Sequence, residues 1–357
     1  MPSTILAKAL KPGDTIAFVS LSLRLNDVFP LAVARATTLF EKKGYKVKVL
    51  FTKDDGIRSS INNRLAEFKA AFLDPEVSAI ICTIGGGSFT ELLPGLVSNK
   101  ELIAGIRKDP RIVVGFSDNT GLHWFLHACT GLRSFYGPTA IPELGTADSI
   151  EDEASPLAFC VKHLFRAISV AEPLGDLPRS ATYAPKHPPF FGNPSSTDKQ
   201  ELSQAPKWKW LRQGKAQGRL FGGCLNVMVT LNGIPAVRPD WSNRIVFFET
   251  SSHEGNDVED VRAYLGHLIA AGVFDKAAGL VIGRPYNYDT DEARQEYENV
   301  LTELLCNGSS VPGDNKFPIL FNVDVGHTTP MVTLPMDAMA SLDSEADTFS
   351  ILEPGVE

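Results

Sequence analysis

Arg111-Ile-Val-Val-Gly-Phe-Ser-Asp118 is the stretch that decides the fold. Its unbroken apolar run reads as a strand buried on both faces, and Ser117, Asp118 and Asn119 then open a helix that ends near Gly131. Moving towards the N-terminus, the same switch of period recurs. Ala79-Ile-Ile-Cys-Thr-Ile84 is a buried-strand run that ends in Gly85-Gly86-Gly87. Leu65, Phe68, Ala71 and Phe72 have helical spacing within 61–73. Tyr45-Lys-Val-Lys-Val-Leu-Phe51 alternates like a strand, Val28 to Lys43 is helical and closed by Gly44, and Asp14-Thr-Ile-Ala-Phe-Val-Ser20 is a short β-rich run. Strands and helices alternating over connections this short predict right-handed βαβ units and a mostly parallel sheet covered on both faces.

Towards the C-terminus the pattern changes. Residues 173–206 are rich in Pro, Ser, Lys and Asp without a period, which predicts a linker or mobile loop. Strand signals return at Arg244-Ile-Val-Phe-Phe248, Gly279-Leu-Val-Ile282 and Ile319-Leu-Phe-Asn-Val323, with a helix near Val258 to Ala271. Glycines and prolines are denser here, so a second, more β-rich domain is expected. The predicted division is 1–172 for an N-terminal α/β domain, 173–214 for a linker, and 215–357 for a C-terminal domain.

Length and composition agree with two globular domains: 357 residues, 43% hydrophobic and 21% charged. The net charge of −8, from 42 acids against 34 bases, disfavours a protein that binds nucleic acid by neutralising phosphates. No stretch approaches the ~20 apolar residues that span a bilayer, and the N-terminus lacks the pattern of a secretory signal. The five cysteines are widely spaced and form no C-x-x-C pair, as expected of core thiols in a reduced, cytoplasmic compartment.

Ligands of open α/β sheets bind beyond the carboxyl ends of the strands. Ser117 sits there, and a serine between a buried strand and a helix resembles a nucleophile elbow, with the Asp118 N–H free to bind an oxyanion. Serine and aspartate also cap helices, and the full G-x-S-x-G pattern is absent, so the local residues leave both readings open. Gly85-Gly86-Gly87-Ser88 lacks the third glycine of a dinucleotide fingerprint; it suits a tight turn or a backbone nest for an anion. His123 and His127 share a helix face at i,i+4, but Trp124 stands where a metalloprotease has glutamate, so packed or solvated histidines are expected. His253, beside Glu254, is either a base or an exposed loop residue. Glu249 ends an apolar strand and needs a partner, for which a histidine N–H would serve as well as a structural arginine. His327, in a Gly-His turn, reads equally as a cleft imidazole or a loop histidine. The chain order Ser117, Glu249, His327 is that of α/β-hydrolases.

Four blocks together resemble the serine peptidases that comprise LD-carboxypeptidases and microcin C immunity (MccF-type) peptidases. They are Ala71 to Gly86; Val114-Gly-Phe-Ser-Asp-Asn-Thr-Gly-Leu-His123 with Phe135-Tyr-Gly-Pro138; Gly218 to Asn226 with Ile245 to Thr250; and Gly326-His-Thr-Thr-Pro-Met-Val-Thr-Leu-Pro335. The resemblance implies a Rossmann-like parallel-sheet domain, a β-rich α/β domain, and an active site in the cleft between them. It implies Ser117 as nucleophile, Glu249 as acid, His327 as base, and backbone N–H groups of Gly86, Gly87 and Asp118 as oxyanion hole, with no metal or organic cofactor. Cys82-Thr-Ile-Gly-Gly86 and Trp208-Lys-Trp210 lean to the MccF-like branch, where Asn226 matches a substrate-contacting Asn and a loop tryptophan helps hold substrate. Gly87-Ser88 and the long 173–206 segment depart from that branch. The implied activity is hydrolysis of an amide near the C-terminus of a small peptide or peptide-nucleotide conjugate by a homodimer. The alternatives are a murein tetrapeptide LD-carboxypeptidase, a non-catalytic α/β ligand-binding protein and, third, a nucleotide-binding protein.

Overall fold

The computed structural model describes residues 2–252, 257–307 and 316–357. The N-terminal part runs β1 (Thr15–Val19), α1 (Pro30–Lys42), β2 (Lys46–Leu50), α2 (Gly56–Leu73), β3 (Val77–Cys82), α3 (Leu93–Ser98), α4 (Lys100–Lys108), β4 (Ile112–Gly115), α5 (Thr120–Phe125), β5 (Phe135–Tyr136) and α6 (Pro156–Ser169). The strands form a sheet in the order β2-β1-β3-β4-β5, and every neighbouring pair is parallel. β1 and β4 are buried throughout, which is why they carry apolar runs where the half-exposed edge strand β2 alternates. The strand order reverses between β1 and β3. Sheets of this kind open a crevice at that point, outside the carboxyl ends of the strands.

The rest of the chain adds β6 (Pro173–Asp176), β7 (Thr182–Tyr183), β8 (Ser203–Gln204), β9 (Lys209–Arg212), β10 (Lys215–Cys224), α7 (Leu225–Asn232), β11 (Arg244–Glu249), α8 (Val258–Ala270), β12 (Gly279–Gly283), α9 (Asp291–Leu305), β13 (Ile319–Val323), β14 (Leu334–Pro335), β15 (Met339–Asp343) and β16 (Thr348–Pro354). Eight of these strands form a second sheet, β6-β16-β15-β10-β11-β12-β13-β9. Its central β10-β11-β12-β13 is parallel and its flanks are antiparallel.

The segment 173–206, read from its composition as a linker, carries short strands. β6 pairs with β16 on the edge of the second sheet, and β7 pairs with β8. Strands of two to four residues are too short to show a hydrophobic period, so composition alone could not reveal them. The C-terminal chain also returns to the first sheet. β14 pairs with β5, Val356 packs in the core with Phe18 and Ile112, and the backbone of Glu357 bonds to Ala7 and Ala9. One continuous apolar core joins Val19 and Cys82 to Phe247 and Val281 of the second sheet.

The two sheets point their carboxyl edges at each other. The Trp124 indole N–H, on α5, donates to the Gly222 carbonyl at 3.0 Å, and the Cys224 N–H donates to Thr120 Oγ1 at 3.0 Å. No helix among the described residues is long and apolar enough to cross a membrane.

Candidate active site

Ser117 follows β4 directly and has φ of +63°, in the left-handed region that a non-glycine residue seldom adopts. Such conformations persist only where the surroundings fix them, and they cluster at functional sites. Here the Ser117 N–H donates to the Tyr136 hydroxyl at 3.1 Å, and the Thr120 hydroxyl donates to the Ser117 carbonyl at 2.6 Å. The β3 turn passes so close that a Cβ on Gly85 would lie 2.7 Å from Ser117 Cβ and 2.9 Å from its Oγ. Glycine is therefore required at 85 to let the serine stand at the mouth of the crevice.

Glu249, the last residue of β11, is fully buried. Oε2 accepts from His327 Nδ1 at 2.6 Å, and Oε1 accepts from the Tyr136 hydroxyl at 2.6 Å. Burial alone would raise its pKa, but the charge of His327 and the hydrogen bonds from His327 and Tyr136 hold it below the ordinary carboxyl value. With Nδ1 donating to Glu249, the other ring nitrogen of His327, Nε2, accepts from Ser117 Oγ at 2.9 Å. The Phe116 ring packs edge-on against the imidazole, with centroids 5.0 Å apart. Gly326 supplies the turn before His327 at φ +112°, where a Cβ would lie 2.5 Å from Glu249 Oε2.

This hydrogen-bonded line opens onto a cavity of about 420 Å³. Its walls include Gly85, Gly86, Gly87, Phe116 and Ser117 from the first sheet and Cys224, Asn226, Ser251 and His327 from the second. The N–H groups of Gly86, Gly87 and Asp118 donate to no other described residue. The Asp118 carboxylate is turned inward, where it accepts from Phe89 N at 2.8 Å and from the Ser22 hydroxyl. Asn226 lines the cavity, and its Oδ1 lies 3.2 Å from Cys224 Sγ. The Cys224 thiol, Glu249 and His327 place donor atoms within 4.8 Å of one another. A cation there would have to displace the proton shared by His327 and Glu249.

Trp208 and Trp210, one of which was expected to contact substrate, do not line the cavity. Trp208 is buried, its indole N–H donating to Asp324 at 2.9 Å with the Arg179 guanidinium over its ring. Trp210 lies on β9, at the outer edge of the second sheet, and donates to Asp347 at 2.8 Å. The Trp208 indole can be buried although it lies in a polar stretch, because the distant Asp324 carboxylate meets its N–H. The aromatic wall comes instead from His187 and Phe191, whose rings stack at 5.0 Å and 20°. Burial lowers the His187 pKa to about 4, so that ring is neutral at neutral pH.

The helix histidines are packed. His123 Nε2 donates to the Gly115 carbonyl and Nδ1 accepts from the Ser134 hydroxyl, both at 2.8 Å, and burial lowers its pKa to about 4. His127 lies against the Phe221 ring and beside Arg244. His253 and Glu254 lie outside the described residues. Two residues escaped identification by pattern: Glu143, which lines the cavity, and Tyr136, which is buried behind it. Tyr136 lies within the quoted block Phe135-Tyr-Gly-Pro138, but only the fold shows that its hydroxyl links Ser117 to Glu249.

A serine whose hydroxyl meets an imidazole held by a buried carboxylate, at the mouth of an interdomain cavity, defines a serine hydrolase of α/β build. The chain belongs to the LD-carboxypeptidase family. The family's N-terminal domain matches residues 16–137 and its C-terminal domain matches residues 217–342. The chain is 29% identical to the microcin C7 self-immunity protein MccF of Escherichia coli, over 98% of this chain and 96% of that protein. It is 26% identical to a Bacillus subtilis protein named "Probable murein peptide carboxypeptidase", over 98% and 94% of the two chains. Among solved structures it is similar to MccF in complex with aspartyl sulfamoyl adenosine, with a TM-score of 0.84 and 26% identity, covering 99% of this chain and 100% of that one.

Proposed function

We propose that the protein is a serine peptidase of MccF-like type that hydrolyses an amide near the C-terminus of a small peptide or peptide-nucleotide conjugate. The observation that carries this reading is the line Ser117–His327–Glu249 facing the cavity. His327 Nε2 takes the Ser117 proton as Oγ attacks the carbonyl carbon, and the N–H groups of Gly86, Gly87 and Asp118 receive the oxyanion. The imidazolium, held by Glu249, then protonates the leaving nitrogen, and water resolves the acyl-enzyme by the same route. Every step uses groups of this chain, and none calls for a metal.

A cavity of about 420 Å³ is the size that holds a small ligand rather than a folded protein. The His187–Phe191 wall offers a flat face to a nucleobase, which supports the nucleotide-conjugate reading alongside the MccF relatives. The Bacillus subtilis relative favours a second reading, a murein tetrapeptide LD-carboxypeptidase using the same three residues. Five free cysteines suit a reduced cytoplasmic compartment, and the family resemblance suggests a homodimer, which sedimentation would test.

The deciding experiment is hydrolysis of a panel of L,D-tetrapeptides and aminoacyl sulfamoyl or phosphoramidate nucleotides by wild type and Ser117→Ala. Loss of a nucleophile costs at least roughly 10³-fold in rate. A Ser117→Ala protein that retained near-normal hydrolysis would refute the mechanism.

A further inference from the structure

Glu143 takes no part in the line of residues that performs the proposed chemistry, yet it lies in the same cavity wall. It is 5% exposed, on the loop after β5, beside Pro142. Oε2 accepts from both Thr139 N at 2.8 Å and Thr139 Oγ1 at 2.9 Å, which fixes the carboxylate plane. No other described residue is hydrogen-bonded to Oε1. Among the described residues, the cavity wall carries no lysine or arginine, and Glu143 is its one carboxylate. A buried carboxylate needs a cationic or donor partner, and among the other described residues Thr139 alone is hydrogen-bonded to it. Burial accordingly pushes the Glu143 pKa up to about 7, a rise tempered by the bonds from Thr139 and by the charge of His327. Glu143 lines the same cavity as Ser117 and His327.

We propose that Glu143 is a specificity residue that binds a free ammonium group on the acyl side of the scissile amide, the substrate thus bringing a cation that the described residues of the wall do not supply. The inference rests on the serine peptidase reading and narrows its substrate class to amides whose acyl residue carries an unblocked amine. An α-ammonium is one bond from the α-carbon and two from the reacting carbonyl carbon, so a carboxylate in the wall of the cavity that Ser117 and His327 also line can meet it while Ser117 Oγ attacks. An N-acylated substrate would instead leave Glu143 buried without a partner.

The test is calorimetric, on Ser117→Ala protein, which cannot turn the ligand over. The probes are aspartyl sulfamoyl adenosine and its des-amino analogue, which lacks the ammonium and adds no bulk. A charge-assisted contact of this kind predicts that the amine-bearing probe binds roughly tenfold to a hundredfold more tightly. Adding Glu143→Gln should shrink that preference to within about twofold. Glu143→Asp, which withdraws the charge by one methylene, should leave an intermediate preference. Equal affinity for both probes in Ser117→Ala overturns the inference, whether or not the Gln variant folds. A preference undiminished by Glu143→Gln overturns it too, as does failure of both probes to bind. The peptidase reading is judged separately, by wild-type hydrolysis of the substrate panel.

Discussion

Replacing Tyr136 with phenylalanine removes one oxygen and leaves the ring in place between Phe116 and Phe247, whose centroids lie 6.2 and 5.1 Å away. That oxygen makes two contacts: it donates to Glu249 Oε1 at 2.6 Å and accepts from Ser117 N at 3.1 Å. The first is a hydrogen bond to a charged, fully buried acceptor, worth about 1.5–3 kcal/mol. If most of it acts on the alignment of Glu249 with His327, kcat/KM for amide hydrolysis falls about tenfold to 150-fold. The second contact leaves the buried Ser117 N–H without a partner, at a cost of about 1–3 kcal/mol in unfolding free energy. Glu249 titrates below the ordinary carboxyl value of 4.5 in the fold, so its contribution to stability is present above that pH and lost as pH falls through the lowered value. Without the phenol this contribution is smaller, so the stability gap between variant and wild type should narrow in acid. Steady-state kinetics with urea unfolding at two pH values measures both effects. A kcat/KM within twofold of wild type would refute the aligning role. A loss as deep as that of Ser117→Ala, with the fold intact, would mean that the phenol itself moves the proton.

Gly326→Ala should lower kcat at least roughly tenfold and reduce stability, because its methyl would lie 2.5 Å from Glu249 Oε2 at a φ of +112°; kinetics on the soluble variant checks this. Trp208→Phe should cost about 1.5–3 kcal/mol of stability through the lost bond to buried Asp324, with KM for every substrate within about twofold of wild type. A selective rise in KM for nucleotide conjugates would return that indole to the substrate. Glu143 titrates near 7 in the fold against an ordinary value of 4.5, so the stability held by its protonated form is complete below about 4.5 and is lost as pH rises through about 7. Glu143→Gln should therefore gain on wild type in thermal midpoint between those pH values, and parallel pH profiles would contradict the burial argument.

What the sequence disclosed and what it withheld divide along physical lines. β3, β4, β11 and β13 were legible because a strand buried on both faces is apolar at most of its positions, a constraint written locally. The position of Ser117 was legible for the same reason, since it follows such a strand without a gap. That Ser117, Glu249 and His327 meet is not a local property: His327 is 78 residues from Glu249 and 210 from Ser117, and only the facing carboxyl edges of two sheets bring them together. The tryptophans show the converse error. In a polar stretch without a period they looked exposed, yet Asp324 and Asp347, more than a hundred residues on, give each indole N–H a partner and hold both away from the cavity. Glu143 was hidden by the opposite composition. Thr139-Ala-Ile-Pro-Glu-Leu144 reads as an apolar loop with one acid, the kind usually turned to solvent, whereas the fold turns that acid inward against Thr139. A charged side chain placed where it cannot be solvated costs several kcal/mol, and a cavity wall whose described residues include no lysine or arginine leaves that cost for a ligand to offset.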